Sequence, residues 1–98
     1  AFLRELKNQV FDPLDCVTVS EAVDEPYSSL GDYIGKQGCF SMMFDFSYTN
    51  FDLEGKDEKW YKRKTWTTEE FRVLLFKSQE EIQKTGWPAV FIENHDQP

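Results

Sequence analysis

The sequence predicts an α/β domain built on parallel strands, and three observations carry that expectation. Residues 16–21, 40–46 and 89–93 are short stretches rich in β-branched or aromatic side chains and bounded by turn-forming residues, which is how strands read. Long excursions separate them, and parallel neighbours require crossover connections of about a dozen residues or more. Helical periodicity precedes the first and the third strand, an alternation that belongs to α/β rather than segregated architectures.

Taken in order, Phe2, Leu3, Leu6 and Val10 recur at helical spacing with Arg4, Glu5, Lys7 and Asn8 between them, as in the last turns of an amphipathic helix. Asp12-Pro13-Leu14-Asp15 ends it, because proline lacks the N–H and disfavours helical geometry in the residue before it. The first strand, Cys16-Val17-Thr18-Val19-Ser20-Glu21, follows. Residues 22–38 contain Pro26, three glycines and several small polar residues, and predict a loop with one helical turn. The second strand, Phe40-Ser41-Met42-Met43-Phe44-Asp45-Phe46, is nearly continuous in apolar character, the pattern of a strand covered on both faces. About twenty polar and aromatic residues come next, and loops that long are uncommon in compact domains unless they are functional.

The strongest helical signal begins at Thr67, which has capping-box spacing to Glu70. Phe71, Leu74, Leu75, Ser78 and Ile82 fall on one face, Glu80 and Lys84 form an i, i+4 pair, and Gly86 is placed to end the helix. Pro88 prevents its resumption. The third strand, Ala89-Val90-Phe91-Ile92-Glu93, runs into the polar sequence Asn94-His95-Asp96.

Composition narrows the function classes. One domain, 1–98, accounts for the length, and 40% hydrophobic with 16% aromatic content argues against disorder. The net charge of −7, from 18 acidic and 11 basic residues, opposes duplex nucleic-acid binding, which phosphate neutralisation drives. No apolar run approaches the roughly 20 residues of a membrane span, so neither nucleic acid nor membrane is an expected partner. Cys16 and Cys39 have neither disulfide-framework nor metal spacing; both lie in apolar surroundings and are expected to be buried free thiols in a reducing, cytoplasmic setting. The chain begins without Met inside a helical pattern that shows no signal peptide, and it stops in a polar motif. That leads to the expectation of a segment from a larger domain.

Three groups of residues can carry chemistry. Val17, Val19 and Glu21 share one face of the first strand, and a carboxylate continuing an apolar face is expensive to ionise. Its pKa is then expected to rise, as a general acid near neutral pH requires; the plainer alternative is a strand-end Glu reaching water. Asp96 continues the face of Val90, Ile92 and Asn94, beside His95, and glycoside hydrolysis places carboxylates around an oxocarbenium-like transition state. The alternative there is an exposed polar loop. His95 has no Cys or His at ligand spacing, so neither a metal nor another cofactor is expected. Lys59-Trp60-Tyr61-Lys62-Arg63-Lys64-Thr65-Trp66 interleaves bases with aromatics: a surface for single-stranded bases, a substrate-side loop, or a solvated stretch with anchoring rings.

At Val17-Thr18-Val19-Ser20-Glu21-Ala22 and Phe91-Ile92-Glu93-Asn94-His95-Asp96-Gln97-Pro98 the sequence resembles glycoside hydrolase family 13, the α-amylase superfamily, and within it the oligo-1,6-glucosidase and α-glucosidase group. The resemblance spans the chain, Thr85-Gly86-Trp87 and the aromatic second strand included; Ser20 stands where the family more often has Gly. It implies a partial (β/α)8 barrel, with this chain supplying about strands five to seven. It further implies that Glu21 is the general acid/base, that Asp96 stabilises the transition state, and that His95 binds substrate. The family's retaining mechanism uses an Asp nucleophile upstream of Ala1, a motif that Asp12 and Asp15 do not match. The implied partner is an α-glucoside oligosaccharide, the implied activity belongs to the parent protein, and the segment alone is expected to be inactive and to self-associate. A glucosyltransferase or sucrose isomerase of the same family, or a catalytically silent interaction domain, is the alternative.

Overall fold

The computed structural model describes residues 2–23, 25–55 and 61–95. Its order is α1 (Phe2–Leu6), a π-helical turn (Lys7–Phe11), β1 (Val19–Glu21), a 3-10 turn (Tyr27–Ser29), α2 (Leu30–Tyr33), β2 (Met42–Phe44), α3 (Thr68–Gln83) and β3 (Trp87–Ala89). The strands form one parallel sheet in the order β1-β2-β3. Val19, Met42 and Trp87 lie in register, as do Ser20, Met43 and Pro88, and Glu21, Phe44 and Ala89.

Register separates the two faces. Ser20 and Met43 are buried and Pro88 is half-buried, on the face covered by the core of Leu30, Ile34, Met43 and Ile82. Ala22, Tyr27, Tyr33 and Phe40 pack around that core. The opposite face stays open: Val19 is 42% exposed and Trp87 72%. The near-continuous apolar character of β2 thus has one face filled by α2 and α3, while on the other Met42 and Phe44 are half-buried and Phe44 meets Phe91.

The ladders are shorter than the sequence predicts. Cys16 and Val17 lie outside the first, and Cys16 is exposed, not buried, because the turn after Pro13 bonds its N–H to Phe11 and leaves the side chain uncovered; Cys39 is buried as expected. At Thr18 pairing begins through side chains: its N–H donates to Ser41 Oγ at 3.1 Å, and the Ser41 N–H donates to Thr18 Oγ1 at 3.1 Å. The third strand starts at Trp87 and leaves the sheet after Ala89, where the sequence predicts residues 89–93. Among the described residues β3 pairs only with β2, and Pro88, which lacks an N–H, stands opposite Met43 in that ladder.

Helix α3 follows its signals closely. The Glu70 N–H donates to Thr67 Oγ1 at 3.2 Å and the Thr67 N–H to Glu70 Oε2 at 2.7 Å, the capping box. The Thr67 N–H and the Thr67 hydroxyl, both donating to Glu70 Oε2, hold the Glu70 carboxyl below its usual range. Ser78 and Ile82 are buried, and Phe71, Leu74 and Leu75 half-buried. Lys84 pairs with Glu81 at 2.7 Å, one residue nearer than the expected Glu80. Beyond the helix, Gly86 approaches Ile34 and Gly35 so closely that a Cβ would lie 3.0 Å from Ile34 Cδ1. Gly35, with φ of +77°, occupies the left-handed region, and a side chain there would collide with the carbonyl of Thr85. These two glycines fasten the turn before β3 to the turn after α2.

Candidate active site

Parallel pairing puts the C-terminal ends of all three strands on one edge of the sheet. Glu21 closes β1, with Phe44 and Ala89 beside it, so the ends of β1 and β3 lie roughly 10 Å apart across β2. The apolar face behind Glu21 exists, but Val17 is 78% exposed and Glu21 itself is exposed. The desolvation expected around this carboxylate is not supplied by the described residues, which leave Glu21 exposed.

Past Ala89 the chain leaves the ladder but stays anchored. Phe91 packs edge-on against Phe44 and Phe46, with centroids 5.4 and 5.2 Å away. Asn94 is half-buried and His95 exposed. The structure thus sets Glu21 at the same sheet edge as the end of β3, the strand that leads into His95; Asp96 lies outside the described residues.

Two polar groups that the sequence reading passed over stand at this edge. Asp45, 8% exposed, follows the last residue of β2. Its carboxylate accepts from the Ser47 N–H at 2.9 Å, the Ser47 hydroxyl at 2.9 Å and the Tyr27 hydroxyl at 2.8 Å. Burial pushes its pKa up, but the neighbouring Ser78 hydroxyl and these hydrogen bonds outweigh burial and hold the carboxyl below its usual range. Ser78 Oγ is fully buried and makes no hydrogen bond of good geometry, so it acts as a nearby dipole. Burial also raises the Tyr27 pKa, so the phenol keeps its proton as a donor. The second group is Tyr48, 2% exposed, whose hydroxyl donates to the Phe91 carbonyl at 2.8 Å. The signal for Asp45 was present: it shares the face of Met43 inside an apolar run, and a buried carboxylate must find donors.

The long loop is folded on itself where described. Leu53 and Arg63 form an antiparallel bridge, and Arg63 Nη1 reaches Asp52 Oδ1 at 2.6 Å. Trp66 packs against Phe51 at 5.1 Å, which makes it an anchor. Lys59 and Trp60 of the basic-aromatic cluster lie outside the described residues. Among the described residues no group of three or more His, Cys, Asp or Glu is gathered as a metal site requires. None of their helices is long and apolar enough to cross a membrane.

Parallel strands flanked by helices, with a carboxylate at their C-terminal edge, define an α/β protein, the class that includes the barrels whose sites sit at strand ends. The sequence matches the family described as alpha amylase, catalytic domain, across residues 1–98, and the chain belongs to that family. It is 31% identical over 99 residues to the oligo-1,6-glucosidase of Heyndrickxia coagulans, covering 99% of this chain and 18% of that protein. It is 34% identical over 98 residues to the probable oligo-1,6-glucosidase 3 of Bacillus subtilis (strain 168), covering 98% and 16%. The crystal structure of Bacillus licheniformis trehalose-6-phosphate hydrolase superposes with a TM-score of 0.80 at 30% identity, covering 99% of this chain and 18% of that one. The chain therefore spans less than a fifth of the relatives it matches.

Proposed function

We propose that the chain forms the fifth to seventh strands of the (β/α)8 barrel of a retaining α-glucosidase that hydrolyses α-glucosidic bonds of oligosaccharides. The observation that supports this reading is the parallel register that sets the strand ends Glu21, Phe44 and Ala89 side by side on one edge of the sheet. Glu21 donates its proton to the glycosidic oxygen as the bond to the anomeric carbon breaks. A carboxylate nucleophile from the preceding part of the polypeptide takes that carbon as a covalent glucosyl-enzyme. Glu21, now ionised, removes a proton from water, which attacks and releases glucose. Asp96 accepts hydrogen bonds from sugar hydroxyls and offsets the positive charge of the transition state, and His95 donates to the same sugar. On this reading the 98-residue segment has no activity alone, and its free thiols suit a cytoplasmic setting.

In the full-length protein, Glu21→Gln should lower kcat for an ordinary α-glucoside about 10²–10⁴-fold, the usual contribution of general acid–base catalysis. Hydrolysis at near-normal rate by that variant would overturn the assignment. The structural relative favours a second substrate reading, a disaccharide phosphate such as the one in that enzyme's name. Parallel assays on an α-1,6-linked glucose oligomer and trehalose 6-phosphate separate the two.

A further inference from the structure

We infer that Tyr48 is a positioning residue for the sugar-binding segment after β3, acting by clamping the backbone of Phe91. The inference rests on the proposed role of His95. Beyond Ala89 the sheet no longer holds the chain, yet both backbone polar groups of Phe91 are occupied by one side chain. The Tyr48 hydroxyl donates to the Phe91 carbonyl at 2.8 Å and accepts from the Phe91 N–H at 3.4 Å.

Tyr48 is well placed to hold this position rigidly. It is 2% exposed, and its ring lies between Phe91 at 6.0 Å and Phe71 of α3 at 6.3 Å. Burial raises its pKa, so the phenol remains a donor across the neutral range. The clamp ties the segment after β2 to the segment after β3, and it grips three residues ahead of Asn94 and four ahead of His95. A strand end held by its ladder needs no such device; here a side chain holds backbone groups that β2 no longer pairs. Sub-ångström placement matters for groups that meet substrate, since a shift of about 1 Å can cost ~10²-fold in rate.

The test is a double-mutant cycle in the full-length protein, with kcat/KM on an α-glucoside as the readout and every variant assayed well below its thermal midpoint. Tyr48→Phe keeps the ring and removes the hydroxyl. It should lower kcat/KM about tenfold in the wild-type background and less than twofold in a His95→Ala background, because the residue it positions is already gone. An equal factor in both backgrounds, or a lowered midpoint with unchanged kcat/KM, overturns the inference and leaves the role of His95 standing. A His95→Ala variant with normal kcat/KM overturns both. Should Tyr48→Phe not fold, Tyr48→His goes through the same cycle, and the same comparison decides.

Discussion

The buried carboxylate Asp45 makes a quantitative forecast possible, because aspartate, asparagine and alanine differ there in countable ways. Asp45 accepts three hydrogen bonds, from the Ser47 N–H, the Ser47 hydroxyl and the Tyr27 hydroxyl. In Asp45→Asn the side-chain oxygen can keep the Ser47 N–H, and the new amide can donate to the two hydroxyls, which turn round to accept. Only the charge assistance goes, about 1 kcal/mol. In Asp45→Ala all three donors lose their acceptor. Ser47 is exposed and its groups can find water, whereas Tyr27 is half-buried, so the cost is about 3 kcal/mol rather than the full sum for three orphaned donors. Hydrogen exchange read on a peptide spanning residues 44–51 of the full-length protein reports this local stability directly. Exchange should accelerate about fivefold in Asp45→Asn and roughly 100-fold or more in Asp45→Ala. Equal acceleration in both would show that charge, not acceptor geometry, holds the node; no acceleration in either would show that the node contributes nothing.

The same carboxylate gives a pH dependence. Its folded pKa lies below the ordinary value, so its contribution is complete above about pH 4 and is lost as pH falls through the folded value; the thermal-midpoint advantage of wild type over Asp45→Asn should be present at pH 7 and shrink in strong acid. Gly35→Ala should destabilise by about 1–3 kcal/mol through its positive φ and the collision with the Thr85 carbonyl, with a lowered midpoint in thermal melts. The isolated 98-residue chain should self-associate through its open sheet face, where Val17, Val19 and Trp87 are exposed, and a dilute sample sedimenting as a compact monomer would refute that.

What the sequence conveyed well was local. The capping box at Thr67 and Glu70 and the inward stripe ending at Ser78 and Ile82 follow from periodicity and turn chemistry over a few residues, and the parallel pairing from the length of the excursions between strands. The strand limits did not, because the ladder at Thr18 begins through hydroxyl exchange with Ser41 and the third strand ends where Phe91 turns to the aromatic cluster. Both are tertiary choices. Glu21 and His95 stand out in the sequence by residue type, whereas the hydrogen bonds of Asp45 and Tyr48 depend on partners 18 and 43 residues away in sequence. Periodicity cannot reveal a partner at that distance. The described residues leave Glu21 exposed for a related reason: alternation marks a face without saying what covers it.

The two glycines at the lower rim have a consequence for how such a segment can change over time. There Gly35 and Gly86 let backbone meet backbone, and the contact depends on the absence of side chains. At the upper rim the loops are joined by hydroxyls, a carboxylate and a phenol, whose hydrogen-bonding roles other polar residues can take over. One rim is a lock without tolerance and the other a set of exchangeable fittings. Loops at the upper rim can therefore be refitted, one polar partner at a time, while the strands beneath keep their register.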